Sequence, residues 1–248
     1  MDIQALLLTL RLALATTVLL MAAAVPLAWW LAFSPGRGKT LVQALVALPL
    51  VLPPTVLGFY LLVALGPSTG FGRVITRLLG HPLAFSFSGL VVGSVLYSLP
   101  FAVQPLVAGF GAVDRGHLEA AATLGAPPAR VFRSIVLPLA RGSLLTSALL
   151  TFTHTVGEFG VVLMLGGNIP GATRTLSIAL YDQVQNFDYA QANRTAFMLV
   201  ALSFAALVLI YTRQSSTNAG SMGAGLTGTG SKGTSSIRRR AGRSGSLV

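Results

Sequence analysis

The chain has 248 residues, of which 53% are hydrophobic and only 9% charged, and its excess of Lys and Arg gives a formal net charge of +11. A soluble domain of this length needs far more surface charge, so lipid is the solvent for most of the chain. Cysteine is absent, which excludes a disulfide framework and a thiolate metal site, and the cations lie between apolar stretches and at the C-terminus, which makes a nucleic-acid-binding stripe the weaker reading.

A helix crosses a hydrocarbon core about 30 Å thick with about 20 apolar residues. The first such segment runs from about Leu12 to Phe33 and meets a turn, Ser34 to Lys39, that carries Arg37 and Lys39. Arg11 ahead of an apolar run resembles the start of a signal peptide. The run is too long for a signal core, however, and Trp29 and Trp30 stand where a cleavage site needs small residues, so a retained span is expected. A second span is expected from about Leu41 to Leu65, kinked or broken by Pro49, Pro53 and Pro54, which remove backbone donors. From Gly66 to Phe85 the composition is mixed, and Arg73 and Arg77, four apart, suit a short helix lying on the membrane. The third span covers about Phe87 to Ala112 and contains Pro100 and Pro105.

A polar stretch from Val113 to Arg141 is too charged to cross lipid. The fourth span is expected from about Ser143 to Gly166 and the fifth from about Thr195 to Thr212, with an interfacial helix from Thr175 to Gln185 between them. If the 37–39 turn, the 113–141 loop and the C-terminal end share one side, that side holds most of the Lys and Arg. The positive-inside rule then makes it cytoplasmic and puts the N-terminus outside. From Gln214 the composition turns to Gly, Ser and Thr and ends in a cluster with Arg238, Arg239, Arg240 and Arg243, so 214–248 is expected to be a disordered basic tail behind a 1–213 transmembrane domain.

Within the 113–141 loop stand Glu119, Ala120 and Ala121, then Gly125 after three residues, Ile135 after nine more, and Leu137 and Pro138. Leu118 to Leu124 favours a short helix with Glu119 near its positive end. Gly125 permits a left-handed turn after it. Pro127 and Pro128 suit the first turn of a second helix, which Pro138 is expected to stop. A generic amphipathic loop helix is the competing reading. The spacing resembles the signature loop of ABC importer permeases, with every position of that pattern present.

The resemblance continues outside the loop. Residues 47–58, Ala-Leu-Pro-Leu-Val-Leu-Pro-Pro-Thr-Val-Leu-Gly, look like the second span of the molybdate permease family. Gly157, Glu158, Phe159 and Gly160 resemble its fourth span, and Asn168 to Thr175 the loop after it. Ala172 departs from the pattern, because relatives usually carry a glutamate there; Pro127, Pro128 and the tail depart as well. The resemblance implies an all-α transmembrane protein of about five spans with the type I ABC importer permease fold. It further implies a cytoplasmic-membrane permease importing molybdate by alternating access, with sulfate or tungstate as alternatives. The implied partners are two cytoplasmic ATPase subunits, a second copy of this chain, an external oxyanion-binding protein and membrane lipid, and no cofactor or metal is expected.

Other patterns point elsewhere. Gly36 to Thr40 mimics half of a phosphate-binding loop, but Phe33 stands where the first glycine belongs and a span precedes it instead of a strand; Lys232 before Gly233 fails the same test, so ATP hydrolysis is expected on a partner. His154 and Glu158, four apart on one expected face of the fourth span, are either a proton relay, as a proton-coupled carrier would need, or a brace between packed helices. Three histidines and no His-Glu-x-x-His exclude a zinc peptidase. Breaks at Pro49, Pro53 and Pro54, together with Gly157 and Glu158, mark a candidate translocation path or gate, against simple kinks for packing.

Overall fold

A computed structural model of the protein describes residues 2–36 and 38–225, and every regular element in it is helical. Helix α1 (Ile3–Phe33) starts earlier than expected because the Asp2 carboxylate caps it, accepting from the Ala5 N–H at 2.9 Å. Its buried stripe falls every four residues through Leu12, Thr16, Leu20, Ala24 and Ala28, while Leu14 and Val18 face outward.

The expected second span is two helices, α2 (Gly38–Val51) and α3 (Pro54–Leu65), which meet at 110°. Pro53 occupies the cap position of α3 and Pro54 its first turn, where a missing N–H costs nothing. Pro49 sits inside α2 without ending it. The amphipathic helix on the surface is α4 (Gly70–Leu79), capped by Thr69 and ended by left-handed Gly80. Helix α5 (Phe87–Gly111) runs through Pro100 and Pro105 unbroken.

The polar loop folds into α6 (Arg115–Thr123), α7 (Pro128–Val131), a π-helical turn (Phe132–Val136) and α8 (Leu137–Leu139). The segment Pro128–Leu139 then bends by 74° into α9 (Arg141–Val156). The expected fourth span is therefore also interrupted, ending at Val156 and resuming as α10 (Gly160–Gly166). Helix α11 (Leu176–Gln185) covers the stretch where a short helix was expected, and α12 (Tyr189–Gly225) is capped by Asp188, which accepts from the Gln191 N–H. The α12 backbone stays helical to Gly225, past both the expected span end at Thr212 and the expected start of the tail at Gln214. The remainder of that expected tail, 226–248, lies outside the described residues. Among the described residues three helices are long and apolar enough to cross a membrane, or five if each bent pair is one span.

Helices α1, α5 and α9 form the central bundle, with Thr16, Ser94, Ser98, Ser147 and Thr151 fully buried among its aliphatic residues. Lipid tails are as apolar as leucine, so helices in a membrane associate through close packing and side-chain hydrogen bonds rather than through water exclusion. Gly109 of α5 meets Ser143 of α9 so closely that no Cβ fits there, and the Ser147 hydroxyl donates to the Ala102 carbonyl. Outside this bundle, α10 packs on α3 and on α5.

Candidate functional site

The loop residues singled out by spacing form one angular projection. Asp114 caps α6 by accepting from the Gly116 N–H, so the helix begins at Arg115 and Glu119 lies in its second turn rather than at its positive end. Gly125 has φ of +70°. Its N–H donates to the Ala122 carbonyl at 2.9 Å and the Ala126 N–H to Ala121 at 3.0 Å, the paired bonds that close a helix on a left-handed residue. Pro127 and Pro128 start α7 as the sequence predicts.

Pro138 acts differently from the expectation: it does not stop the helix. Lacking an N–H, it cannot donate to Ser134, and the chain widens into the π turn, with the Leu137 N–H bonded to the Phe132 carbonyl. The break comes at Ala140. Glu119, Ala120 and Gly125 are exposed, Leu124 is 85% exposed at the tip, and Pro138 is exposed with Ile135 and Leu137 half-buried. Ala121, by contrast, turns inward and is buried against its own chain. The second arm is anchored by fully buried Val136 and by Phe132, whose ring meets Trp29 of α1 at 4.9 Å and Phe110 of α5 at 5.9 Å.

The two interrupted spans meet at their interruptions. A Cβ on Gly160 would lie 2.8 Å from the Pro54 Cβ, and one on Gly58 would lie 2.8 Å from the Met164 Cβ, so α3 and the start of α10 touch backbone to backbone. Pro53, Pro54, Gly157 and Glu158 thus belong to one junction, whereas Pro49 lies within α2. Glu158 is 4% exposed and stands in the gap between α9 and α10. The Ser94 hydroxyl of α5 stands beside its carboxylate and faces it. Sequence reasoning missed Ser94 and Ser98, although their spacing of four within an apolar helix marks one polar face.

His154 and Glu158 do not pair. Helix α9 ends between them, which destroys the four-residue register, and the His154 Nδ1 lies 2.9 Å from the Ser98 hydroxyl while its ring stacks on Phe101 at 4.0 Å. The imidazole is a brace between α5 and α9.

The 168–175 loop ties the opposite end of the bundle. The Thr173 hydroxyl donates to the Gly166 carbonyl at 2.6 Å, and the Leu176 N–H donates to Thr9 of α1 at 2.9 Å. Arg174 bonds Asp182 of α11 at 2.6 Å and reaches Asp2 of α1 at 3.7 Å. Thr9 and Asp2 are remote in sequence from Leu176 and Arg174, so no local signal announces those two contacts. Ala172 lines a cavity of about 590 Å³ with Arg11, His81 and Ser86.

Residues 24–215 match the family described as binding-protein-dependent transport system inner membrane component. The molybdenum transport system permease protein ModB of Azotobacter vinelandii is 53% identical over 85% of this chain and 93% of its own. ModB of Escherichia coli (strain K12) is 34% identical over 83% of this chain and 90% of its own. Among solved structures, a chain of the inward-facing MetNI methionine ABC transporter superposes with a TM-score of 0.68 over 85% of this chain and 93% of its own, at 18% identity. A chain of a bacterial alginate ABC transporter in complex with its pentasaccharide-bound periplasmic protein also gives 0.68, over 84% of this chain and 76% of its own, at 17% identity. Both likenesses are of fold.

Proposed function

The chain belongs to the family of binding-protein-dependent transport system inner membrane components, and from that premise we propose that it is the membrane-spanning subunit of an ATP-driven molybdate importer. The observation that carries the substrate is the 53% identity to the Azotobacter vinelandii molybdenum permease across nearly the whole of both chains. It is a multi-pass protein of the inner membrane. ATP is hydrolysed on two copies of a separate cytoplasmic subunit, and an external binding protein delivers the anion to a pair of these chains. The side with the 113–141 loop is cytoplasmic, as its excess of Lys and Arg supports.

The loop projection is the docking element. Glu119, Ala120, Leu124 and Gly125 present an exposed tip, and Phe132 and Val136 fix the second arm to the ends of α1 and α5. A push on the tip therefore reaches two central helices through packed side chains rather than through flexible backbone. At the other region, the junction of Pro54 with Gly160 is where two bent spans slide or hinge as the path changes its open side, with Gly157 and Glu158 at the bend.

Reconstitution with its ATPase and binding protein in proteoliposomes tests the proposal. Molybdate accumulates only with ATP and loaded binding protein, and excess sulfate competes poorly. Preferential accumulation of sulfate or tungstate would reassign the anion. Uptake driven by a proton gradient without ATP, and abolished by Glu158→Gln, would replace the proposal with a carrier.

A further inference from the structure

Two carboxamide side chains stand on the apolar surface of α2 and α5. Gln43 of α2 and Gln104 of α5 are both exposed, on helices otherwise rich in aliphatic residues. They line a single cavity of about 370 Å³ between α1, α2 and α5, whose remaining walls, Leu31, Val46 and Val103 among them, are apolar. A carboxamide brings two N–H donors and a carbonyl acceptor, and hydrocarbon satisfies none of them. Exposed amides within spans therefore face water or a polar solute in preference to lipid tails.

Their depths also match. Gln43 lies about 7.5 Å along the axis from Gly38, and Gln104 about 10.5 Å from Gly111, at 1.5 Å rise per residue. Gly111 leads directly into α6, so at least the α5 amide stands just inside the bundle from the docking projection.

Resting on the proposed function for the identity of the solute, we infer that the Gln43–Gln104 cavity is the last stretch of the translocation path on the docking-loop side, where the two amides donate hydrogen bonds to the departing oxyanion. The chemistry suits an exit. Guanidinium or ammonium donors would bind the anion more strongly and retain it, whereas neutral N–H donors replace part of its hydration and let go. No carboxylate lines the cavity to repel the anion, and the aliphatic walls offer no competing acceptor.

The chain has no cysteine, so Gln43→Cys and Gln104→Cys each create a single thiol per copy of this chain, and the unsubstituted assembly supplies the labelling background. A membrane-impermeant, negatively charged thiol reagent applied from the docking-loop side is expected to modify both about tenfold faster than Val18→Cys, an exposed position elsewhere on α1, because a thiolate forms readily only in water. Molybdate turnover should slow that modification. Gln43→Glu and Gln104→Glu put a fixed negative charge beside the anion and are expected to lower uptake about tenfold or more. Modification no faster than at Val18→Cys overturns the inference, as does fast modification that turnover does not slow combined with unchanged uptake in both glutamate variants. The labelling rates need no particular cargo; protection by another solute in place of molybdate would refute the substrate while keeping the path.

Discussion

The docking projection and the junction of the two bent spans are both angular pieces of helix, but opposite forces hold them. In the projection every bend is closed by neighbours in the chain: Asp114 bonds Gly116, Gly125 bonds Ala122, Ala126 bonds Ala121 and Leu137 bonds Phe132. At the junction, Pro54 leans on Gly160 and Gly58 on Met164, partners about a hundred residues apart that meet only through packing. A region shaped by its own hydrogen bonds tolerates pressure from a partner, whereas one shaped by close approach is sensitive to a single methyl group.

The largest effect is therefore expected at the junction. Gly160→Val forces branched carbons against the Pro54 ring and the Thr55 backbone, neither of which can swing aside, at a cost of about 3 kcal/mol or more. Thermal stability of the detergent-solubilised protein should fall and uptake should be lost; unchanged stability would mean that α3 and α10 do not meet. This contrast also explains what could be read in advance. The loop's turns were legible because Pro127 and Pro128 fix their own φ and Gly125 permits a left-handed residue that others resist. The prolines at 53 and 54 announced a break, yet not an angle of 110° or its contact with Gly160, because both depend on what packs there. The register of His154 with Glu158 failed for the same reason: periodicity assumes a continuous helix, and α9 ends at Val156.

In the projection, Gly125→Val should strain the left-handed turn by about 1 to 2 kcal/mol without touching the bundle. Membrane levels should stay normal while ATP hydrolysis stimulated by loaded binding protein falls several-fold; full stimulation would remove the loop from the coupling path. A paired substitution separates the two kinds of surface within one turn of α6. Ala121→Leu overpacks the chain's own core, by about 1 to 3 kcal/mol, and should lower thermal stability. Ala120→Leu, on the exposed face, should leave stability unchanged and reduce co-purification of the ATPase. Equal effects of the two would erase the distinction. Smallest of all, ending the chain after Gly225 should leave uptake and assembly unaltered, because 226–248 is Gly- and Ser-rich and has few apolar side chains for a partner to bury. Loss of uptake at normal membrane levels would assign those residues a role.

The π turn at Phe132–Val136 holds one residue more than an α-helical turn would, which makes this segment a place where the chain's length is counted. Deleting exposed Ser134 removes the extra residue, so the backbone closes as ordinary α-helix with the upstream orientation nearly kept, whereas inserting one more residue rotates everything upstream by about 100° relative to α9. Phe132 and Val136 cannot then both keep their places against α1 and α5. A homologous gene that gained a codon here would aim its projection in a different direction from the bundle, so this turn sets the phase of the proposed docking element.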